Sequence, residues 1–133
     1  MTRMSQAAWA RVAWTALAVY GAALFLGTHL PNFATGPARY NDKAAHFLGY
    51  FILAFLAAWA WSMRRRLTTR AMLLMAAAIS AYGAVDEWTQ RFVPGRSADV
   101  RDWLADTLGT VAGLLAFRLL CACVRPFGRA ARH

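Results

Sequence analysis

The sequence predicts an all-α membrane bundle of four transmembrane helices in one domain of 133 residues. Three observations support this fold class. The chain is 59% hydrophobic and contains six tryptophans, which exceeds the usual apolar share of a small water-soluble domain. Four apolar stretches each have about 20 residues, the length at which a helix crosses the hydrocarbon layer. Short runs of basic residues flank these stretches, as they do in membrane proteins.

The four predicted spans cover residues 9–28, 44–63, 71–90 and 103–124. The first span follows basic residues, but no small-residue cleavage site comes after it, so we expect it to be retained. The third span is the least apolar because Asp86, Glu87 and Gln90 occupy its end. The fourth starts beside Asp99 and Asp102, which are candidates for its N-terminal cap.

The two loops at one end of the bundle differ in character. Residues 29–41 contain two prolines and a glycine, which favours an irregular connection exposed to water. In residues 91–101, Pro94 precedes Gly95, the order typical of a type II turn because glycine supplies the positive φ. Such a turn would fold Arg96 back towards the helix ends, where it could cap carbonyl groups, pair with Asp99 or bind phosphate.

The basic residues predict the orientation of the bundle. Ten of the fifteen lysine and arginine side chains stand at the end that carries both termini, and three of them form the run Arg64–Arg66. Because cytoplasmic loops carry the positive excess, we expect both termini in the cytoplasm and the opposite end outside a cell (inner) membrane. The basic residues form no stripe with interleaved aromatic residues, so the pattern argues against nucleic-acid binding despite the net charge of +9.

The acidic residues all lie at or near the predicted outer end. Ionisable side chains are costly at membrane depth and usually mark function. A spacing of four residues places Asp42, His46 and Tyr50 on one helical stripe, and Asp102 and Asp106 repeat that spacing. We therefore expect one polar site on the outer side of the membrane. Its candidate ligand-binding residues are Asp42, Lys43, His46, Tyr50, Asp86, Glu87, Gln90, Arg96, Asp102 and Asp106.

Three blocks of this sequence resemble the VanZ-like family of small integral membrane proteins. The blocks read Asp42-Lys43-x-x-His46-Phe47-x-x-Tyr50, Asp86-Glu87-x-x-Gln90-x-Phe92-Val93-Pro94-Gly95-Arg96-x-x-Asp99-x-x-Asp102 and Asp106-x-x-Gly109-x-x-x-Gly113. One position departs from the family pattern, since Asp106 stands where asparagine is usual. The resemblance implies a polytopic membrane protein. It links the chain to a family named for a member associated with resistance to the glycopeptide teicoplanin, and it supplies no reaction.

Three functions are compatible with these residues. In the first, the outer site binds or modulates a cell-envelope component, such as a lipid-linked cell-wall precursor, and Lys43, Arg91 and Arg96 are available to an anionic headgroup. In the second, the chain is an enzyme acting on a lipid headgroup through Asp86, Glu87 and His46. These residues could serve as general acid and base or hold a divalent metal, for which an oxygen-rich cluster suits Mg²⁺ or Ca²⁺. No established nucleophile motif accompanies them.

In the third, the polar residues form a purely structural network that fixes how the helices pack. The stripe formed by Gly109 and Gly113 also concerns how the helices pack. Small residues four apart allow two membrane helices to approach closely, and this stripe could serve packing within the chain or a homo-oligomer.

Overall fold

The computed structural model describes residues 5–30 and 42–130, and these residues form four α-helices without a strand. The helices are α1 (Gln6–Thr28), α2 (Asp42–Ser62), α3 (Thr69–Gln90) and α4 (Val100–Ala130). The predicted all-α bundle is therefore confirmed. Three of the described helices, α1, α2 and the Val100–Val124 part of α4, are long and apolar enough to cross a membrane. Of the first predicted outer loop, residues 31–41 lie outside the described residues.

The helix α3 is as long as its neighbours but less apolar. It spans 22 residues, yet Arg70 stands in its first turn and Asp86 and Glu87 stand near its end. The carboxylates of its last turns are buried inside the bundle, where Thr28 of α1 donates to Asp86 and the backbone N–H of Asp99, just before α4, donates to Glu87. The low hydropathy of α3 thus reflects the part of the polar site that it carries, as the sequence indicates.

Polar side chains define where three of the helices begin. Ser5 and Thr68 accept hydrogen bonds from the backbone N–H groups of Ala8 and Ala71, each at 3.2 Å, and so cap α1 and α3. Asp99 caps α4, because its Oδ1 accepts from the backbone N–H of Arg101 at 2.8 Å. This hydrogen bond, together with the nearby Lys43, lowers the pKa of Asp99 below its usual range.

The closest helix pair is α2 and α4, and glycine makes their approach possible. A Cβ atom added at Gly109 would lie 3.0 Å from the carbonyl carbon of Phe47 and closer still to its oxygen. At Gly113 it would meet the backbone of Phe51 in the same way. The glycine stripe therefore serves packing within the chain, and α2 covers the face that a homo-oligomer through Gly109 and Gly113 would need.

The outer faces of the helices are apolar, whereas the interior near one end is polar. Val19, Leu73, Leu108 and Leu119 are each more than 60% exposed, although they are large hydrophobic residues. A small apolar core of Ala54, Ala58, Met72, Leu114 and Phe117 holds the opposite half of the bundle together. This arrangement suits a protein whose surroundings are lipid tails, because apolar side chains on the surface then cost nothing.

The loop between α3 and α4 forms the turn that the sequence predicts. The backbone N–H of Arg96 donates to the carbonyl oxygen of Val93 at 3.1 Å, and Gly95 has a φ of 78° between them. Proline at the second position and a positive φ at the third are the features of a type II turn. The turn directs Arg96 back over the ends of α1 and α3, where its side chain finds partners.

Candidate functional site

The structure brings most of the predicted polar residues together at one end of the bundle. They come from the start of α2, the end of α3 and the start of α4, which lie side by side. Seven polar or charged side chains are buried there: His46, Asp86, Glu87, Gln90, Asp102, Asp106 and Thr110. Six of the seven belong to the set predicted from the sequence. Thr110 bonds only to the carbonyl oxygen of Asp106, one turn earlier in the same helix.

His46 stands at the centre of this cluster. Its Nδ1 lies 2.9 Å from Oδ1 of Asp106, which is completely buried, and 3.8 Å from Oε1 of Glu87. On the other side of the ring, Nε2 lies 3.9 Å from Oδ1 of Asp42. This contact with Asp106 fixes the orientation of the ring, and if Asp106 is ionised and the ring neutral, Nδ1 donates to the carboxylate and Nε2 can act as an acceptor.

Asp86 and Glu87 are both held by hydrogen bonds from neighbouring elements. Asp86 accepts from the hydroxyl of Thr28 at 2.9 Å, and Gln90 donates to both acids, at 3.1 and 3.3 Å. Glu87 also accepts from the backbone N–H of Asp99 at 3.0 Å, which joins the end of α3 to the start of α4. The adjacent acids thus connect α1, α3 and α4, and their suggested catalytic role stays a prediction.

The basic residues of the cluster have different kinds of partner. Lys43 forms ion pairs with Asp102 at 2.6 Å and with Asp99 at 3.2 Å, so acids already balance its charge. Arg96 donates to two neutral acceptors, the carbonyl oxygen of Leu30 and Oε1 of Gln90, at 3.1 and 3.2 Å. Arg96 thus donates to a backbone carbonyl just beyond the end of α1, and among the described residues it forms no ion pair with Asp99.

Tyr50, the residue of the Asp42, His46 and Tyr50 stripe that is furthest along α2, lies inside the bundle. It is completely buried, and among the described residues its hydroxyl has no hydrogen-bond partner. The second carboxylate oxygen of Asp106, Oδ2, is also buried without a partner. Unpartnered buried polar atoms are uncommon because each forgoes its hydration, and they often point to a functional constraint.

A cavity of about 350 Å³ lies between α1 and α2 beside this cluster, and we call it the α1–α2 cavity. Most of its apolar lining residues come from α1, and its charged lining residues come from α2 and the α3–α4 loop. Asp86 and Glu87 do not line it, so they support the site from behind. The lining residues are Tyr20, Ala23, Leu24, Gly27, Thr28, Asp42, Ala45, His46, Tyr50 and Arg96.

Within residues 5–30 and 42–124, two overlapping groups of residues could hold a metal ion. In the first, atoms of His46, Glu87 and Asp106 lie within 4.8 Å of one another, and in the second, so do atoms of Asp42, His46 and Asp102. Their carboxylate oxygens suit a hard divalent cation. In the first group an ion would compete with Asp106 for Nδ1 of His46, so the structure offers donors without a preformed coordination shell.

The end of α1 contributes residues to the polar cluster that were not predicted from the sequence. Besides Thr28, which binds Asp86, His29 lies 2.9 Å from the hydroxyl of Thr89 through Nε2. Its Nδ1 lies 2.8 Å from the carbonyl oxygen of Phe25, in the last turn of α1. The sequence did contain a signal, because Thr28 and His29 are adjacent polar residues at the end of the first span. Their partners on α3 could not be read from spacing within one helix.

Comparison with known proteins shows which family the chain matches. The family model VanZ/LLP1 matches residues 4–121, which include α1 to α3, the loop at Gly95 and most of α4. The chain is also similar to the "Uncharacterized protein C11E3.10" of Schizosaccharomyces pombe, with 29% identity over 99 residues. That match covers 74% of this chain but only 60% of the length of the yeast protein. No solved structure matches the chain.

Proposed function

Because the chain belongs to the VanZ/LLP1 family, we propose that it is a membrane protein that binds a phosphate-bearing lipid of the cell envelope in the α1–α2 cavity. The observation that carries this proposal is the composition of the cavity. Its lining combines apolar residues such as Ala23 and Leu24 with the charged residues Arg96 and Asp42. Such a cavity is complementary to an amphiphile, whose chain and headgroup need different surroundings.

Arg96 is the residue best suited to hold the phosphate. Its described contacts occupy two of its five N–H donors, and both acceptors are neutral. An arginine with uncompensated charge and free donors binds phosphate strongly through paired hydrogen bonds. Lys43 is less suited, since Asp99 and Asp102 already bind its ammonium group.

The remaining polar lining suits a headgroup that also carries hydrogen-bond donors. The Asp42 side chain is 40% exposed, and a carboxylate accepts hydrogen bonds from hydroxyl or ammonium groups. A lipid-linked precursor with a phosphate next to a sugar combines both features. The positive residues near the termini support an orientation with this cavity outside an inner membrane and both termini in the cytoplasm. Involvement in glycopeptide resistance would follow only if the bound lipid is a cell-wall precursor.

The experiment is a thermal unfolding titration of the full chain in a neutral detergent. A polyprenyl phosphate is added in one series and the matching polyprenol in another, for the parent, Arg96→Gln and the control Arg101→Gln. The substitution at Arg101 removes the same charge as the one at Arg96, but Arg101 does not line the cavity. We expect the phosphate to raise the melting temperature of the parent and of Arg101→Gln, with little effect on Arg96→Gln. Equal stabilisation of all three proteins, or by the polyprenol alone, contradicts phosphate binding at Arg96.

A second candidate is hydrolysis of the headgroup, and the pair His46–Asp106 favours it. A buried carboxylate that orients one ring nitrogen, while the other nitrogen is free to take a proton, is the arrangement of a general base. The same protein samples, incubated with a polyprenyl diphosphate, test this by release of orthophosphate. We expect His46→Gln to reduce the release about 100-fold or more, and the control Arg101→Gln, which lies outside the cavity, to retain it. Absence of release by the parent rejects this reaction.

A further inference from the structure

A second cavity lies at the opposite end of the bundle and is lined by arginine. It has a volume of about 580 Å³ and sits between the start of α1, the α2–α3 loop and α4. Its walls include Arg64, Arg65, Arg66 and Arg118, together with Leu67 and Phe117. We call it the basic cleft. It shares no lining residue with the α1–α2 cavity.

The positive charge of the basic cleft has no acidic side chain to balance it. All six acids of the chain are at the other end, and Asp106, the nearest along α4, is twelve residues before Arg118. Twelve helical residues span about 18 Å, which is roughly twice the screening length at physiological salt. Four arginines of like charge line this one cavity, so a bound anion would reduce their mutual repulsion.

Arg118 is held in position by neutral groups. Its side chain donates to Oγ1 of Thr69 at 3.2 Å and to Sδ of Met72 at 3.4 Å, both near the start of α3. These contacts place a charged group within the apolar helix α4, six residues before Val124. Among the described residues, these contacts leave several of its N–H donors without an acceptor. A fixed arginine with unused donors is better preorganised for an anion than a freely moving surface arginine.

We infer that the basic cleft binds the phosphate of an anionic phospholipid at the membrane interface. A phosphate diester provides the negative charge that the four arginines lack, and acyl chains provide a partner for Leu67 and Phe117 beside them. A basic pocket between membrane helices, at the level of the headgroups, is a recognised form of lipid site. This site is independent of the α1–α2 cavity, because different residues form it.

The test measures how much phosphatidylglycerol stabilises the full chain. The protein is transferred from neutral detergent into nanodiscs of phosphatidylcholine with or without phosphatidylglycerol, and unfolding is followed for each variant in both lipids. The variants are Arg118→Gln, Arg118→Lys and Arg65→Gln, with Arg70→Gln as the matched control, since Arg70 does not line the basic cleft. Comparing the two lipids within each variant separates lipid binding from any loss of stability caused by the substitution.

We expect phosphatidylglycerol to stabilise the parent and Arg70→Gln, and to bind Arg118→Gln about tenfold more weakly, the size of one charge-assisted hydrogen bond. Arg65→Gln should show a smaller loss, and Arg118→Lys should recover part of the effect. Equal stabilisation of all variants would mean that the lipid acts on the general surface charge, which overturns the proposal. A further series adds soluble glycerol phosphate to the protein in detergent. Equal stabilisation by glycerol phosphate overturns the assignment to a lipid. Neither result affects the test at Arg96.

Discussion

Replacing Gly109 with alanine is the most direct test of the packing that assembles the polar site. Gly109 lies on α4 three residues after Asp106, and it faces the backbone of Phe47, the neighbour of His46 on α2. A Cβ atom at this position would lie 3.0 Å from the carbonyl carbon and 3.1 Å from the Cα atom of Phe47. Backbone atoms cannot rotate away as a side chain can, so α2 and α4 would have to move apart.

The expected magnitude follows from two opposing effects. Alanine is favoured over glycine within a helix by about 0.5–1 kcal/mol, which is the whole effect where space is available. Overpacking a close contact costs about 1–3 kcal/mol, and here the obstacle is rigid. Gly109→Ala should therefore lose about 1–2 kcal/mol, or several degrees in melting temperature for a chain of this size. The separation of the helices should also lengthen the hydrogen bond between His46 and Asp106.

The assay is thermal unfolding in neutral detergent, with Gly21→Ala as the matched control. A Cβ at Gly21 would meet only a side-chain atom, Cδ1 of Leu53, at an ordinary distance of 3.6 Å. We expect this control to be as stable as the parent or slightly more stable. If Gly109→Ala also unfolds at the parental temperature, α2 and α4 do not approach as described. If it instead changes only the oligomeric state, the glycine stripe faces a second copy of the chain.

Two further predictions concern a buried hydroxyl and the glycine of the α3–α4 turn. Tyr50→Phe removes a buried hydroxyl that has no partner among the described residues, so unfolding without added lipid should occur at the same temperature or higher. A loss of several degrees would show that the hydroxyl has a partner. Gly95→Ala places a side chain at a φ of 78° and should cost about 1 kcal/mol in the same measurement, whereas Ser97→Ala in the same loop should cost less than half of that. Equal stability of Gly95→Ala and the parent would contradict the type II turn.

Much of the fold and part of the site follow from local sequence. Apolar stretches of the length of a membrane span indicated four helices, and four helices are observed. Pro94-Gly95 specified the turn because few other residues accept its backbone angles. The cap of α4 at Asp99 was similarly local. The sequence also anticipated that polar residues gather at one end, since six of the predicted residues are buried there, while their function stays a prediction.

The pairing of these residues depended on contacts between helices. Spacing placed His46 on a stripe with Asp42, but the shorter contact of its ring is to Asp106 on another helix. The end of α1 supplies Thr28 to Asp86, and Arg96 reaches the carbonyl oxygen of Leu30 rather than Asp99. Rotations and offsets of packed helices set such pairs, and a pattern within one helix carries no information about them.

The sequence by itself thus determined which segments are helical, which end of the bundle is acidic, and where the chain turns, because hydropathy, charge and backbone angles act over a few residues. The tertiary structure alone decided that Gly109 and Gly113 face α2 and that Asp86 and Glu87 stand behind the α1–α2 cavity. It also decided that Arg118 joins Arg64–Arg66 around a separate basic cleft. The physical reason is that cavities and close backbone contacts form between helices, from residues far apart in the chain.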